Sequence, residues 1–124
     1  MKLILASCLL VLIACSTKTP EPKIVIDPMQ KLSSESGLSL DQLKNGVGPI
    51  TNVILTDIDP GLVKLGKATF AVKCVACHKL DGKHMGPGLR YVTTRREPAY
   101  IMNMILNPDE MLARHPLTKA MLKK

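Results

Sequence analysis

Cys74-Val75-Ala76-Cys77-His78 is the stretch on which the reading of this chain turns. Two thiols stand three positions apart, and an imidazole follows at once. Thiols at that spacing can each form a thioether to one of the two vinyl groups of a c-type haem. The adjacent histidine then lies under the iron and supplies an axial nitrogen. Two other chemistries use the same letters. A thiol–disulfide pair normally sits on a βαβ framework, and no such pattern surrounds these residues. Zinc takes two further ligands, and only His84 and His115 remain to supply them, without paired spacing.

The flanks read as helices and loops. Upstream, Asp59 can cap a helix and Pro60 suits its first position. Leu62, Leu65, Gly66, Thr69 and Phe70 then share one helical face, and the helix runs into Cys74. Downstream, residues 79–96 hold Gly82, Gly86, Pro87 and Gly88 and read as a loop. Pro98 opens a second helix through Leu106, with Ile101, Met104 and Ile105 inward. Asn107-Pro108-Asp109-Glu110 resembles a capping box that opens a third. Pro116 begins a fourth segment, from Leu117 to Lys124. Residue 59 onward therefore reads as all-α.

The chain has 124 residues, enough for one domain. It has three aromatic residues, Phe70, Tyr91 and Tyr100, and no Trp. A core this poor in rings needs another large apolar body, and a porphyrin supplies one. The apolar fraction of 46% argues against a disordered chain.

At this point the chain resembles the class I c-type cytochromes. The residues carrying the likeness are Gly66 and Phe70, Cys74–His78, and Gly86-Pro87-Gly88-Leu89. The resemblance implies one covalent haem c held by Cys74 and Cys77, with His78 as axial ligand. It also implies that the Pro87 carbonyl accepts a hydrogen bond from the far nitrogen of that imidazole and fixes its tautomer. Gly66 and Phe70 match positions where the first and last helices of the family cross. In the family a Met in a later loop holds the second face of the iron, and a closing helix follows. This chain stops at Lys124, so the domain is expected to be incomplete at that end. Met121 is nearest the expected place for the sixth ligand. His115 is a further candidate. Met85, Met102, Met104 and Met111 read rather as proximal-loop or core residues.

The segment Arg95–Met104, with Asn107–Met111, is similar to short lipoprotein cytochromes that accompany periplasmic terminal reductases, nitrous-oxide reductase among them. The implied function is single-electron transfer to or from a respiratory reductase or oxidase, not enzymatic catalysis. One alternative is a five-coordinate haem that binds small gases or peroxide, with Asn103 and His115 as the distal polar groups. Another is a truncated, non-functional cytochrome.

The N-terminal part directs the chain out of the cytoplasm. Lys2 precedes eleven apolar or small residues, Leu3 to Ile13, too short a run to span a bilayer. Leu12-Ile13-Ala14-Cys15 resembles the lipobox of bacterial lipoproteins, which implies lipidation of Cys15 and a membrane anchor. By the same resemblance Ser16 hints at the outer membrane, with the domain facing the periplasm. The expected organisation is a signal peptide over 1–14, a lipidated tether with extended segments over 15–58, and a cytochrome domain over 59–124. Within the tether, Lys23–Ile26 reads as a short strand and Ile50–Leu55 as a β-prone run.

Charge divides along the chain. Residues 61–124 carry twelve basic and four acidic side chains, whereas 15–60 carry four and six. Lys73, Lys79 and Lys83 surround the attachment motif and can steer an acidic redox partner. Arg90, Arg95 and Arg96 are candidates to pair with haem propionates. Export excludes nucleic acid as a partner.

Overall fold

The structure is a computed structural model that describes residues 27–123. The expected signal peptide, Cys15 and the expected strand at Lys23–Ile26 lie outside the described residues. Among those described, seven helices and no strand form.

The first two helices replace the expected extended tether. Asp27 accepts the Met29 N–H at 2.8 Å, and Pro28 takes the first position of α1 (Pro28–Ser36). Gly37, at φ 68°, ends it in the left-handed conformation that favours glycine. Ser39 and Gln42 then form a reciprocal capping box, each side chain meeting the other's backbone N–H at 3.1 Å. That box opens α2 (Leu40–Asn45).

Both helices fold back onto the C-terminal half. The core consists of Leu38, Leu43, Val47, Tyr100 and Met111, with Leu32 and Met104 packed against it. Its C-terminal members come from α5 (Pro98–Leu106) and α6 (Pro108–Arg114), and α7 (Pro116–Leu122) packs on α6. The Met111 thioether accepts the Val47 N–H at 3.0 Å. Asn103, fully buried, binds the passing chain in both directions. Its amide nitrogen donates to the Asn45 and Ile50 carbonyls at 2.9 and 2.8 Å, and its oxygen accepts the Ile50 N–H at 3.0 Å. Gly48 lies so close that a Cβ there would meet Asn103 Cγ at 2.8 Å.

Two expectations, the β-prone run and the capping box at Asn107, need correction. The run Ile50–Leu55 forms no strand, and Ile54 and Leu55 are exposed. The helix expected from Asp59 exists as α3 (Pro60–Lys73), with Asp59 accepting the Gly61 and Leu62 N–H groups. On its apolar face Leu62 and Leu65 are exposed, Phe70 is half-buried, and outside the helix's own backbone no described atom lies within 4 Å of a Cβ placed on Gly66. The core is built by the other helices, and α3 is not among the pairs that pack closely. At the start of α6, Asn107 forms no capping box. Its side-chain amide donates to Glu110 at 2.8 Å instead. The Asn107 amide and Arg114 together hold the Glu110 carboxyl below its ordinary range. Among the described residues no helix is long and apolar enough to cross a membrane.

Candidate functional site

The attachment motif is a helical turn that continues α3. Cys74 caps the helix through its N–H to the Phe70 carbonyl at 3.0 Å. The Cys77 and His78 N–H groups both donate to the Cys74 carbonyl, at 3.1 and 2.9 Å. The two cysteines share this one turn and form no disulfide, Cys74 half-buried and Cys77 exposed.

A loop then returns beneath the histidine. The Gly86 N–H donates to the Cys77 carbonyl at 2.8 Å. Farther along, Leu89 and Arg90 donate to the Lys79 and Leu80 carbonyls at 3.0 and 2.9 Å. These bonds seat the Pro87 carbonyl 2.9 Å from His78 Nδ1. A carbonyl only accepts, so Nδ1 carries the proton and Nε2 presents its lone pair. The ring lies flush on Gly86, where a Cβ would stand 2.7 Å from Nδ1 and 2.8 Å from Nε2.

The three arginines each have partners within the chain. Arg90 forms a two-pronged pair with Asp81, with the second bond at 2.5 Å. The pairing holds the Asp81 carboxyl below its ordinary range and raises Arg90. Arg95 donates to three loop carbonyls, and Arg96 lies over the Tyr100 ring, 5.4 Å from its centroid. Of the three, only Arg90 is paired with a described carboxylate.

His115 and Asn103 are likewise committed elsewhere. His115 is fully buried, its Nε2 donates to the Leu43 carbonyl at 3.1 Å, and its ring meets Tyr100 edge-on. Its ligand role and the distal-group role of both residues are therefore corrected, because the 43–50 segment occupies them. Met111 and Met104 belong to the core, as the sequence suggested. Met121 is exposed on α7.

The competing chemistries lose their frameworks. No strand is present for a βαβ dithiol site, and no cluster of three metal-ligating side chains occurs among the described residues. A helical domain whose first long helix ends in two thiols and a carbonyl-pinned imidazole has the construction of a class I c-type cytochrome.

The cytochrome c family model matches residues 63–121. A cytochrome c from Rhodothermus marinus is 44% identical with a TM-score of 0.63, over 67% of this chain and 72% of that one. An engineered form of it, solved bound to a carbene intermediate, matches with the same identity and TM-score over 67% and 75%. No curated protein matches the chain. The chain belongs to the cytochrome c family, and its cofactor is haem c.

The residues present suit that group. The two thiols share one turn, the imidazole offers Nε2 from a ring fixed by Pro87, and Gly86 leaves that ring its space. Gly86 and Arg95 were not singled out for these roles by the sequence, since both depend on the path of the loop.

Proposed function

We propose that this protein is a membrane-anchored, periplasmic monohaem cytochrome that passes single electrons to or from a respiratory reductase or oxidase. Haem electron transfer follows from the family; the anchor, the compartment and the partner are the proposed part. The observation that carries the reading is the 2.9 Å bond between His78 Nδ1 and the Pro87 carbonyl. It fixes one tautomer and makes the imidazole a stronger donor through Nε2. Cys74 and Cys77 hold the haem by thioethers, and His78 is the axial ligand. The haem supplies the one-electron couple, and the protein sets its potential through ligand, hydrogen bond and burial. Cys15 carries the lipid. Met121 is the first methionine to consider for the sixth position.

The test is an optical spectrum of the holoprotein, ferric and ferrous, before and after carbon monoxide. A far-red thioether band without response to carbon monoxide supports the carrier with a Met ligand, and Met121→Ala then asks which one. A prompt shift with carbon monoxide means an open or weakly held sixth site, as in a truncated carrier or a gas-binding haem. Fractionation of cells making the Cys15→Ser variant tests the anchor, with release from the membrane as the expected result. A nitrous-oxide reductase assay with the reduced protein as donor tests that partner.

A further inference from the structure

We propose that Arg95 is a positioning residue that locks the 86–91 loop, so that the Pro87 carbonyl stays on His78. The proposal rests on the reading of His78 as the haem ligand. The guanidinium reaches three backbone carbonyls of this one loop. Its Nη2 donates to Gly88 at 3.3 Å and Arg90 at 3.0 Å, and its Nε donates to Tyr91 at 3.3 Å. Gly88 directly follows Pro87, so the clamp begins one residue from the carbonyl that holds the imidazole.

The loop needs such a clamp. Tyr91 has φ 57°, the sole positive value at a described non-glycine residue. A bulky side chain keeps that conformation only where its surroundings over-determine it. Arg95 holds the Tyr91 carbonyl from α4 (Val92–Arg95), the helical turn that Tyr91 opens, and the Thr94 hydroxyl adds a bond at 2.8 Å. The opposite edge of the loop is fixed by Leu89 and Arg90 on the Lys79 and Leu80 carbonyls. Pro87 thus sits in a loop secured along two edges, and Arg95 is the fastening of the outer one. A planar fork spans three carbonyls, whereas a single ammonium does not.

The test compares the wild type, Arg95→Lys and Arg95→Gln, each matured with haem. The ferrous protein is placed under carbon monoxide, which makes the iron diamagnetic whichever group held the sixth position. Solvent exchange of the His78 Nδ1 proton is then followed by NMR. In both variants it is expected to quicken by about tenfold or more, because the loop opens locally. Amides of the distant core, such as those of Met111 and His115, are expected to exchange as in the wild type. Wild-type exchange at Nδ1 in both variants overturns the proposal. So does rescue by lysine alone, which makes Arg95 a charge and not a fork. Equal quickening at the core amides overturns it too, by marking a general stability effect. If the glutamine variant does not accumulate, the lysine variant carries the comparison. Absence of thioether-bound haem from the wild type, seen by mass spectrometry, overturns the reading of His78 itself and is distinct from the other failures.

Discussion

At Gly86 a single methyl decides whether the imidazole can stay. A Cβ there would stand 2.7 Å from His78 Nδ1, closer than a side-chain carbon tolerates, and the ring cannot bend as a flexible chain would. Gly86→Ala is therefore expected to keep both thioethers but push the ring off the Pro87 carbonyl, giving a partly high-spin ferric spectrum; an unchanged spectrum would sink this account. His115 makes the second residue-level prediction. Burial holds its imidazole below the ordinary range; the hydrogen bond to the Leu43 carbonyl offsets part of this, and the Arg96 charge adds a smaller push downward. Below the unfolded value of about 6.5 the unfolded chain takes up the proton first. The stability associated with neutral His115 is thus complete above that pH and is lost as pH falls toward the lowered folded value. Urea melts between about pH 7.5 and pH 5 should show this loss, and His115→Gln should flatten it. The attachment turn was legible in the sequence because two thioethers to one porphyrin dictate the cysteine spacing, whereas the Pro87 bond was expected only through the resemblance to class I cytochromes. The roles of Arg90, Arg95 and Arg96 were not legible. Three nearby guanidinium groups look alike until the loop path gives one a carboxylate, one three carbonyls and one a ring.

Among the elements, α1 and α2 changed most between sequence and structure. The stretch Lys31–Ser39 is rich in serine, a composition that suits a solvated linker. Yet Ser39-Leu40-Asp41-Gln42 is a capping-box pattern, and Leu38, Leu43 and Val47 are spaced to meet one apolar surface. That surface lies on α5 and α6, more than fifty residues away in sequence, so local pattern alone could not identify the contact. Leu43 decides the matter experimentally. It is 4% exposed, and its carbonyl also receives the His115 proton. Leu43→Ala should lower unfolding free energy by about 2–4 kcal/mol in chemical denaturation, the range for a buried leucine. A residue in a free tether would cost almost nothing. Asn103 makes the same point from the other side. Its three bonds to Asn45 and Ile50 stitch the incoming chain to α5, which explains why a polar side chain stands at the centre of an apolar helix. The proline-led helices α3, α5, α6 and α7 were read from their start signals, whereas α1 carries the same Asp-Pro signal as α3, at Asp27-Pro28, but was masked by the serine-rich stretch that follows.

For the molecule as a whole, the distribution of charge bears most directly on function. Residues 61–124 carry a net +8, with Lys73, Lys79 and Lys83 exposed around the attachment turn, whereas 15–60 carry −2. The described ion pairs neutralise Arg90 through Asp81 and Arg114 through Glu110, and leave those three lysines unpaired. The field at the haem-bearing end is therefore positive even though the chain as a whole is only +7. Such a field raises the encounter rate with an anion and lowers it with a cation, and added salt erases both effects as the screening length falls to about 10 Å at 0.1 M. Oxidation of the ferrous protein by hexacyanoferrate(III) should consequently slow as ionic strength rises, while oxidation by a tripositive cobalt tris-phenanthroline complex should quicken. Lys73→Glu, Lys79→Glu and Lys83→Glu combined should flatten both slopes, because three charges then change sign around the attachment motif and the net charge of residues 61–124 falls from +8 to +2. Equal salt dependence for the two oxidants would show that electrons leave through another face, and would separate the basic end from the exit route.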